Sequence, residues 1–157
     1  MSQHAAANGG VSVHFVNNVL AAAASYIEED PEAARDALAE LGAFLTHRLR
    51  PARAVSLQEE LDHVAVYLRL QDFRFPGRLD SGVPDDAVAP ILVGPGDVQR
   101  PVGAALDSWL ARRPGRVRVR LRTAGDDLEL RLDAPDTPDV EAELLSIDLT
   151  KSVRSSE

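Results

Sequence analysis

The chain contains no cysteine among its 157 residues, and aromatic side chains make up only 4% of it. Without cysteine it has no disulfide framework, no thiolate metal site and no cysteine nucleophile, as is usual in a reducing compartment. We therefore expect a cytoplasmic protein. With so few aromatic residues, the core must be built from Leu, Val and Ala, as in many helical proteins.

The sequence also lacks a basic-then-apolar leader and any apolar run of the roughly 18 residues that a membrane helix needs. We therefore expect no membrane partner. The net charge of −8 argues against general nucleic-acid binding, since a broad acidic surface does not neutralise phosphates. With 45% hydrophobic residues, a chain of this length can bury one core or two small cores that share an interface.

Three helical patterns fill the first half of the chain. The first is predicted over residues 11–28, and Asp30-Pro31 starts the second with an N-cap and a proline at the first helical position. Ser56 and Glu59 form a capping box that opens the third helix, which should end near Phe75. The apolar face predicted for the second helix consists of Ala34, Leu38, Leu41, Leu45 and Leu49.

The second half changes to patterns that are typical of strands. A short extended segment is predicted over 88–93, and a fourth helix over 97–112 with Pro101 in its first turn. Strict alternation over 116–122 and again over 128–132 predicts a β-hairpin. The arginines on one face of its first strand either bind an anion or form a solvated face balanced by Glu129. Thr137 and Pro138 predict a short helix near the C-terminus.

His14 begins the first helical pattern, and Asn18 follows it one helical turn later. Residues four apart share a helix face, so both side chains can act on one partner atom. A neutral imidazole nitrogen can attack an aspartyl phosphate and hold the phosphoryl group as a labile intermediate. The alternative is that His14 is an ordinary, half-buried helix residue.

Several sequence elements, taken in order, give the chain a family resemblance. They are His14-Phe15-Val16-Asn17-Asn18, residues 30–34, residues 57–61, residues 67–75 and Gly77-Arg78-Leu79. Together they resemble the kinase core of the LytS-type sensor histidine kinases. The resemblance implies that His14 is the phosphoacceptor. If the chain transfers phosphoryl groups through His14, Asn18 and Asn17 are expected to orient the attacked group or a water, and Phe15 to anchor the helix.

The rest of the chain resembles the ATP-binding domain of that family in outline but differs where nucleotide is held. The family's acidic residue and its Mg²⁺-coordinating asparagine fall on Gly103 and Ala104, which have no side-chain oxygen. An alternative alignment that places these two family residues near Val98 and Gln99 does not restore the acidic residue and the asparagine either.

Two further departures concern the adenine and phosphate contacts of the family. The adenine-contacting segment becomes Asp133-Ala134-Pro135, in which a fixed proline replaces a flexible glycine. No glycine follows Gly125, so a glycine-rich loop that would cradle phosphates has no counterpart. The resemblance therefore implies a kinase-derived protein that has lost ATP binding and needs no cofactor or metal of its own.

We therefore predict an α+β chain in four parts. Residues 1–10 are a disordered N-terminus, 11–75 a helical dimerisation and phosphotransfer domain, 76–150 a small degenerate histidine-kinase-ATPase-like α/β domain, and 151–157 a tail. The helical hairpin is expected to pair with a second copy as a four-helix bundle, because a lone hairpin cannot shield its apolar stripes. Phe15, Leu38, Leu41 and Leu45 are expected in the core of that homodimer.

Two functions remain open from the sequence. In the first, the chain is a histidine phosphotransfer protein in which His14 takes a phosphoryl group from a response-regulator receiver domain that supplies the Mg²⁺. In the second, it is a noncatalytic pseudokinase adaptor that binds a sensor kinase or a response regulator and alters its activity. An active ATP-dependent kinase is the least favoured alternative.

Overall fold

The structure is a computed structural model that describes residues 11–51, 54–84 and 88–150. Its elements in chain order are α1 (Val13–Tyr26), α2 (Pro31–Arg48), β1 (Val55–Ser56), α3 (Leu57–Arg74), β2 (Leu79–Gly82), β3 (Leu92–Val93), α4 (Gln99–Arg112), β4 (Val117–Ala124), β5 (Asp127–Asp133) and β6 (Glu143–Asp148). The predicted α+β class is confirmed. The predictions made for residues 1–10 and 151–157 lie outside the described residues.

Helices α2 and α3 begin at the side-chain caps that the sequence predicts. The Asp30 carboxylate accepts a hydrogen bond from the Ala33 amide at 3.1 Å, and the Ser56 hydroxyl accepts one from the Glu59 amide at 3.1 Å. Each cap satisfies an amide that has no partner within the helix, which contributes about 1 kcal/mol. These local signals fix where both helices start.

Helix α3 covers the α1–α2 hairpin within a single chain. The ring centroid of Phe15 lies 5.1 Å from that of Phe44 on α2 and 5.4 Å from that of Tyr67 on α3. Phe15 and Leu41 are buried by these intramolecular contacts, so neither needs a second copy to cover it. Their assignment to a dimer core stays a prediction, and both side chains are already buried within one chain.

Helix α2 presents a different face to the core from the one predicted. Its buried residues are Ala34, Ala37, Leu41, Phe44 and Arg48. Leu38 and Leu49 are instead 45% and 65% exposed, and Leu45 is partly buried. The buried face thus keeps Ala34 and Leu41 of the predicted stripe but includes Arg48 instead of Leu38 and Leu49, and the Arg48 guanidinium donates to Gln99 at 2.6 Å. The four-helix dimer itself stays a prediction.

The C-terminal half contains a four-stranded sheet in the order β2-β4-β5-β6. Strands β2 and β4 run parallel, whereas β4-β5 and β5-β6 are antiparallel. The predicted β4–β5 hairpin is confirmed, and Gly125 adopts a φ of 61° in its tight turn, as such turns require. A two-stranded ladder also pairs β1 with β3.

Three strands, β1, β2 and β6, have no counterpart among the sequence predictions, and one predicted helix is wrong. Strand β2 lies in a stretch interpreted as turns, and residues 137–140 form turns rather than a short helix. Strand β6 shows no clean alternation because Leu144 and Leu145 are adjacent and both exposed, as an edge strand allows. Its position is set by pairing with β5 rather than by its own pattern.

A continuous hydrophobic core joins the helical and sheet parts. The apolar face of α4 is buried through Val102, Leu106 and Trp109. These side chains belong to one cluster with the aromatic residues of the helical part and the leucines of β5. Helix α4 is thereby placed between the sheet and α3.

Candidate functional site

His14 is exposed in the first turn of α1. The Ser12 hydroxyl caps this helix by accepting a hydrogen bond from the Phe15 amide at 3.3 Å. Phe15 is buried against two other rings and so fixes the rotation of α1. Because neighbouring residues point about 100° apart around a helix, the anchored phenylalanine leaves the imidazole facing solvent.

The two asparagines lie at different depths beside His14. Asn18 is half-buried one turn along α1, and Asn17 is exposed. The i, i+4 spacing places His14 and Asn18 on one helix face, as expected from the sequence. The orienting roles given to the two amides stay predictions.

The carboxyl group of Asp107 on α4 lies in an electrostatic environment to which Arg74 and His14 contribute. Partial desolvation raises the pKa of Asp107 on α4, and the nearby positive groups of Arg74 and His14 oppose that rise. Arg74 is the last residue of α3. No sequence pattern links Arg74 and Asp107 to His14, because residues so far apart along the chain share no periodic signal.

A buried hydrogen-bonded chain holds this corner of the molecule together. The Gln71 amide donates to the Tyr67 hydroxyl at 2.7 Å, and the Arg74 guanidinium donates to the Gln71 carbonyl at 2.9 Å. Desolvation raises the pKa of the Tyr67 hydroxyl, and the charge of Asp107 adds to the effect. The hydroxyl therefore stays protonated as a structural partner.

Glycine at position 103 permits the close approach of α4 to Tyr67. A Cβ atom at Gly103 would lie 3.1 Å from the Tyr67 hydroxyl oxygen and 3.1 Å from the Gln99 amide nitrogen, so a larger side chain would have to displace them. Ala104 beside it is exposed. Neither residue offers an oxygen to Mg²⁺, and position 103 has no room for one.

A buried carboxylate occupies the N-terminus of α4. The Glu60 side chain is fully buried and accepts hydrogen bonds from the amides of Gly96, Val98 and Gln99 at 2.9, 3.0 and 3.0 Å. His47 lies 2.7 Å away on α2. The negative charge suits the positive end of the helix. Glu60 thus links α2 and α3 to the N-terminus of α4. No local sequence pattern predicts this role.

Asp133 does not face the cavity beside α4. It pairs with Arg118 at 3.5 Å and Arg131 at 3.1 Å, on the sheet face opposite the buried Leu132. Arg116, just before β4, and the other arginines of β4 are also paired, which favours the balanced charged face over an anion-binding surface: Arg116 with Asp136, Arg120 with Asp80, and Arg122 with Glu129.

The cavity between α4 and the sheet is apolar and shallow. It has a volume of about 290 Å³ and is lined by Ala105, Leu130, Leu132, Glu143, Leu144 and Leu145. Its ionisable side chain is an acid, Glu143, whose pKa is lowered chiefly by a hydrogen bond from Arg112. Within the described ranges no three His, Cys, Asp or Glu side chains form a metal cluster. These residues do not fit a polyanionic nucleotide with its Mg²⁺.

Comparison with known proteins places these features in a family. Residues 2–79 match the family described as histidine kinase. The chain is 32% identical over 91 residues to the sensor protein LytS of Staphylococcus epidermidis, covering 53% of this chain and 15% of that protein. It is 27% identical over 135 residues to the sensor histidine kinase BtsS of Escherichia coli, covering 78% and 23%. It is also 27% identical over 143 residues to the sensor protein LytS of Bacillus subtilis, covering 85% and 24%.

The chain is therefore a histidine kinase-related protein. More narrowly, it is related to the LytS-type sensor histidine kinases, and the resemblance carried by His14 to Leu79 is confirmed. The chain spans about a quarter or less of the curated relatives that it matches. No helix in the described part of the chain is both long and apolar enough to cross a membrane.

Proposed function

We propose that this chain is a two-component signalling protein that relays phosphoryl groups through His14 and does not bind ATP. The observation that carries the proposal is the exposed imidazole in the first turn of α1, inside the stretch that matches the histidine kinase family. Relationship to sensor histidine kinases supports two-component signalling in general.

The relay chemistry needs little beyond an accessible imidazole. A neutral ring nitrogen of His14 attacks the phosphorus of an aspartyl phosphate on a receiver domain, the N–P bond forms, and the aspartate leaves as a carboxylate. The acyl phosphate is already activated, so ATP is not required. The Mg²⁺ is the receiver's own. The positive end of α1 favours the added negative charge.

Three positions support the proposed loss of ATP binding. Gly103 and Ala104 lack oxygen ligands, and the space beside Gly103 is taken by Tyr67. Asp133 is engaged by Arg118 and Arg131 on the outer face of the sheet. A nucleotide beside α4 would instead contact leucines and an acid.

We also propose that the chain forms a homodimer through the outer face of the helical hairpin. On α1, Leu20 is 43% exposed, and Ile27 at the C-terminal end of this helix is 57% exposed. On α2, Leu38 is 45% exposed. Burying these side chains against a second copy would remove apolar surface from water. The contact residues thus differ from the buried Phe15 and Leu41.

The alternative function is a noncatalytic adaptor that binds a sensor kinase or response regulator. One observation favours it: the edge strand β6 exposes Leu144 at 71% and Leu145 at 40%, one on each face of the sheet, so that its edge offers apolar side chains to a partner strand. In this alternative His14 is not used.

Replacing His14 separates the two functions. The test measures how the chain changes receiver phosphorylation when a sensor kinase and its receiver are mixed. If the chain is a relay, His14→Ala abolishes its effect, whereas Val13→Ala, a change at the exposed neighbouring position, leaves it intact. An effect that survives in His14→Ala would contradict the relay and support the adaptor.

A further inference from the structure

A buried histidine on α3 has no polar partner. His63 is 3% exposed, and within the described residues neither of its ring nitrogens has a hydrogen-bond partner. Its ring is instead stacked between two rings of α2, with centroid distances of 4.6 Å to Phe44 and 4.1 Å to His47. This setting holds the imidazole in its neutral form, because a protonated ring would carry a buried charge with no acceptor for either N–H group.

The charged groups around this ring come from α2, α3 and the start of α4: His47, Arg48, Glu60, Asp97 and Arg100. Burial lowers the pKa of His63 to about 3, and the positive groups of His47 and Arg48 add to the effect. The two acids are engaged elsewhere. Glu60 faces His47 and accepts from three backbone amides, and Asp97 pairs with Arg100 at 3.0 Å.

The C-terminal turn of α2 covers this ring and is tethered by polar contacts. His47 stacks on His63 and places its Nε2 atom 2.7 Å from a carboxylate oxygen of Glu60. The guanidinium of Arg48, the next residue, donates to the side-chain oxygen of Gln99 on α4 at 2.6 Å. This turn therefore joins the helical hairpin to α3 and to the first turn of α4.

We propose that the C-terminal turn of α2, with His47 and Arg48, is an acid-sensitive clasp that is closed over neutral His63 and opens when this ring takes up a proton. The clasp is suited to open by itself, because Thr46 and Leu49 beside it are exposed. Segments with few buried apolar contacts open at a lower free-energy cost than the core does. The clasp does not depend on the proposed relay.

Proton linkage gives the direction and size of the effect. The open clasp exposes His63, whose pKa then returns to its ordinary value of about 6.5. Below about pH 6.5 the open form therefore binds more protons than the closed form, so acid favours opening. From pH 7.5 to pH 5.0 this one group raises the opening equilibrium constant about thirtyfold. Protonation of His47 opposes opening, because it strengthens the contact with Glu60.

Amide hydrogen exchange followed by NMR in the full chain measures this opening. The reporters are the amides of Arg48 and Leu49, of which the second donates to the Leu45 carbonyl at 2.9 Å. His63→Phe keeps a stacked ring but cannot titrate, whereas the contribution of His47 remains. After correction for intrinsic exchange rates, the protection of these amides should fall about thirtyfold more in the wild type than in His63→Phe between pH 7.5 and pH 5.0.

Two controls make the experiment decisive. His14→Ala removes an exposed histidine from α1 and should keep the pH dependence of the wild type. The amides of β5 report on unfolding of the whole chain, and His63→Phe should alter their pH dependence less than that of the clasp. The inference is overturned if the clasp amides respond to pH equally in the wild type and in His63→Phe, or if the β5 amides change as much as the clasp amides do.

A second measurement applies if His63→Phe does not fold. Ring ¹⁵N shifts of the wild type report the protonation of His63 directly, and the ring should be neutral at pH 5.0 because the closed form excludes the proton. The clasp amides should nevertheless have lost protection at this pH. A protonated His63 ring under amides that keep their full protection would show that the closed clasp accepts the proton, and would overturn the inference.

Discussion

Glu60→Gln should destabilise the chain far more than the same change at the adjacent position. One carboxylate oxygen of Glu60 accepts from the Val98 and Gln99 amides, and the other accepts from the Gly96 amide and faces His47. A glutamine keeps one accepting oxygen and turns an NH₂ group towards the remaining donors. His47 can respond by changing tautomer, but the Gly96 amide cannot.

The magnitude follows from these contacts. A buried amide left without an acceptor costs about 1–3 kcal/mol, and the bonds that remain lose the added strength that the charge gives them. We expect the free energy of unfolding to fall by about 2–4 kcal/mol. For a urea m-value of about 2 kcal/mol/M, the unfolding midpoint falls by about 1–2 M.

The control is Glu59→Gln, one residue earlier on α3. Glu59 is 49% exposed and pairs with Arg50 at 2.7 Å. Exposed ion pairs contribute under about 1 kcal/mol, so the midpoint should shift by under about 0.5 M. Urea unfolding followed by circular dichroism measures both variants. Equal shifts would refute the conclusion that Glu60 is the buried cap of α4.

Three further predictions concern pH, association and nucleotide. Burial, with added effects from His47 and Arg48, lowers the pKa of His63 to about 3. Below about pH 6.5 the unfolded state therefore binds more protons than the folded state. The free energy of unfolding falls as the pH drops from about 6.5 towards 3. His63→Phe should flatten this fall in urea unfolding series, and an unchanged slope would contradict it. Leu20→Glu should convert the proposed dimer to a monomer by light scattering, while Leu144→Glu on β6 leaves it a dimer; a monomeric wild type at micromolar concentration would refute the dimer. Calorimetry with ATP and Mg²⁺ should give no binding heat, and micromolar affinity would contradict the proposed loss of nucleotide binding.

The parts of the fold that the sequence predicts are those set by local interactions. The caps at Asp30 and Ser56 and the alternation through β4 and β5 depend on residues within a few positions of one another. The exposure of His14 is not among these predictions, because it follows from the burial of Phe15 against α2 and α3. Local patterns therefore identify the helices, the hairpin and the phosphoacceptor candidate.

The parts that the sequence does not predict depend on distant contacts. The leucine stripe of α2 predicts Leu38 inside, but α3 and α4 together accommodate Arg48, which bonds to Gln99 at 2.6 Å. Strand β6 has no pattern of its own and takes its register from β5. The close approach of α4 to Tyr67, which Gly103 permits, likewise joins residues far apart along the chain.

The most direct test of the central claim is phosphoryl transfer from phosphorylated receiver domains of the same organism to this chain. Wild type, His14→Ala and Val13→Ala are incubated in parallel with each labelled receiver, without ATP. The account predicts label on the wild type and on Val13→Ala, and none on His14→Ala. Absence of label from every receiver, or label that persists in His14→Ala, would contradict a relay through His14.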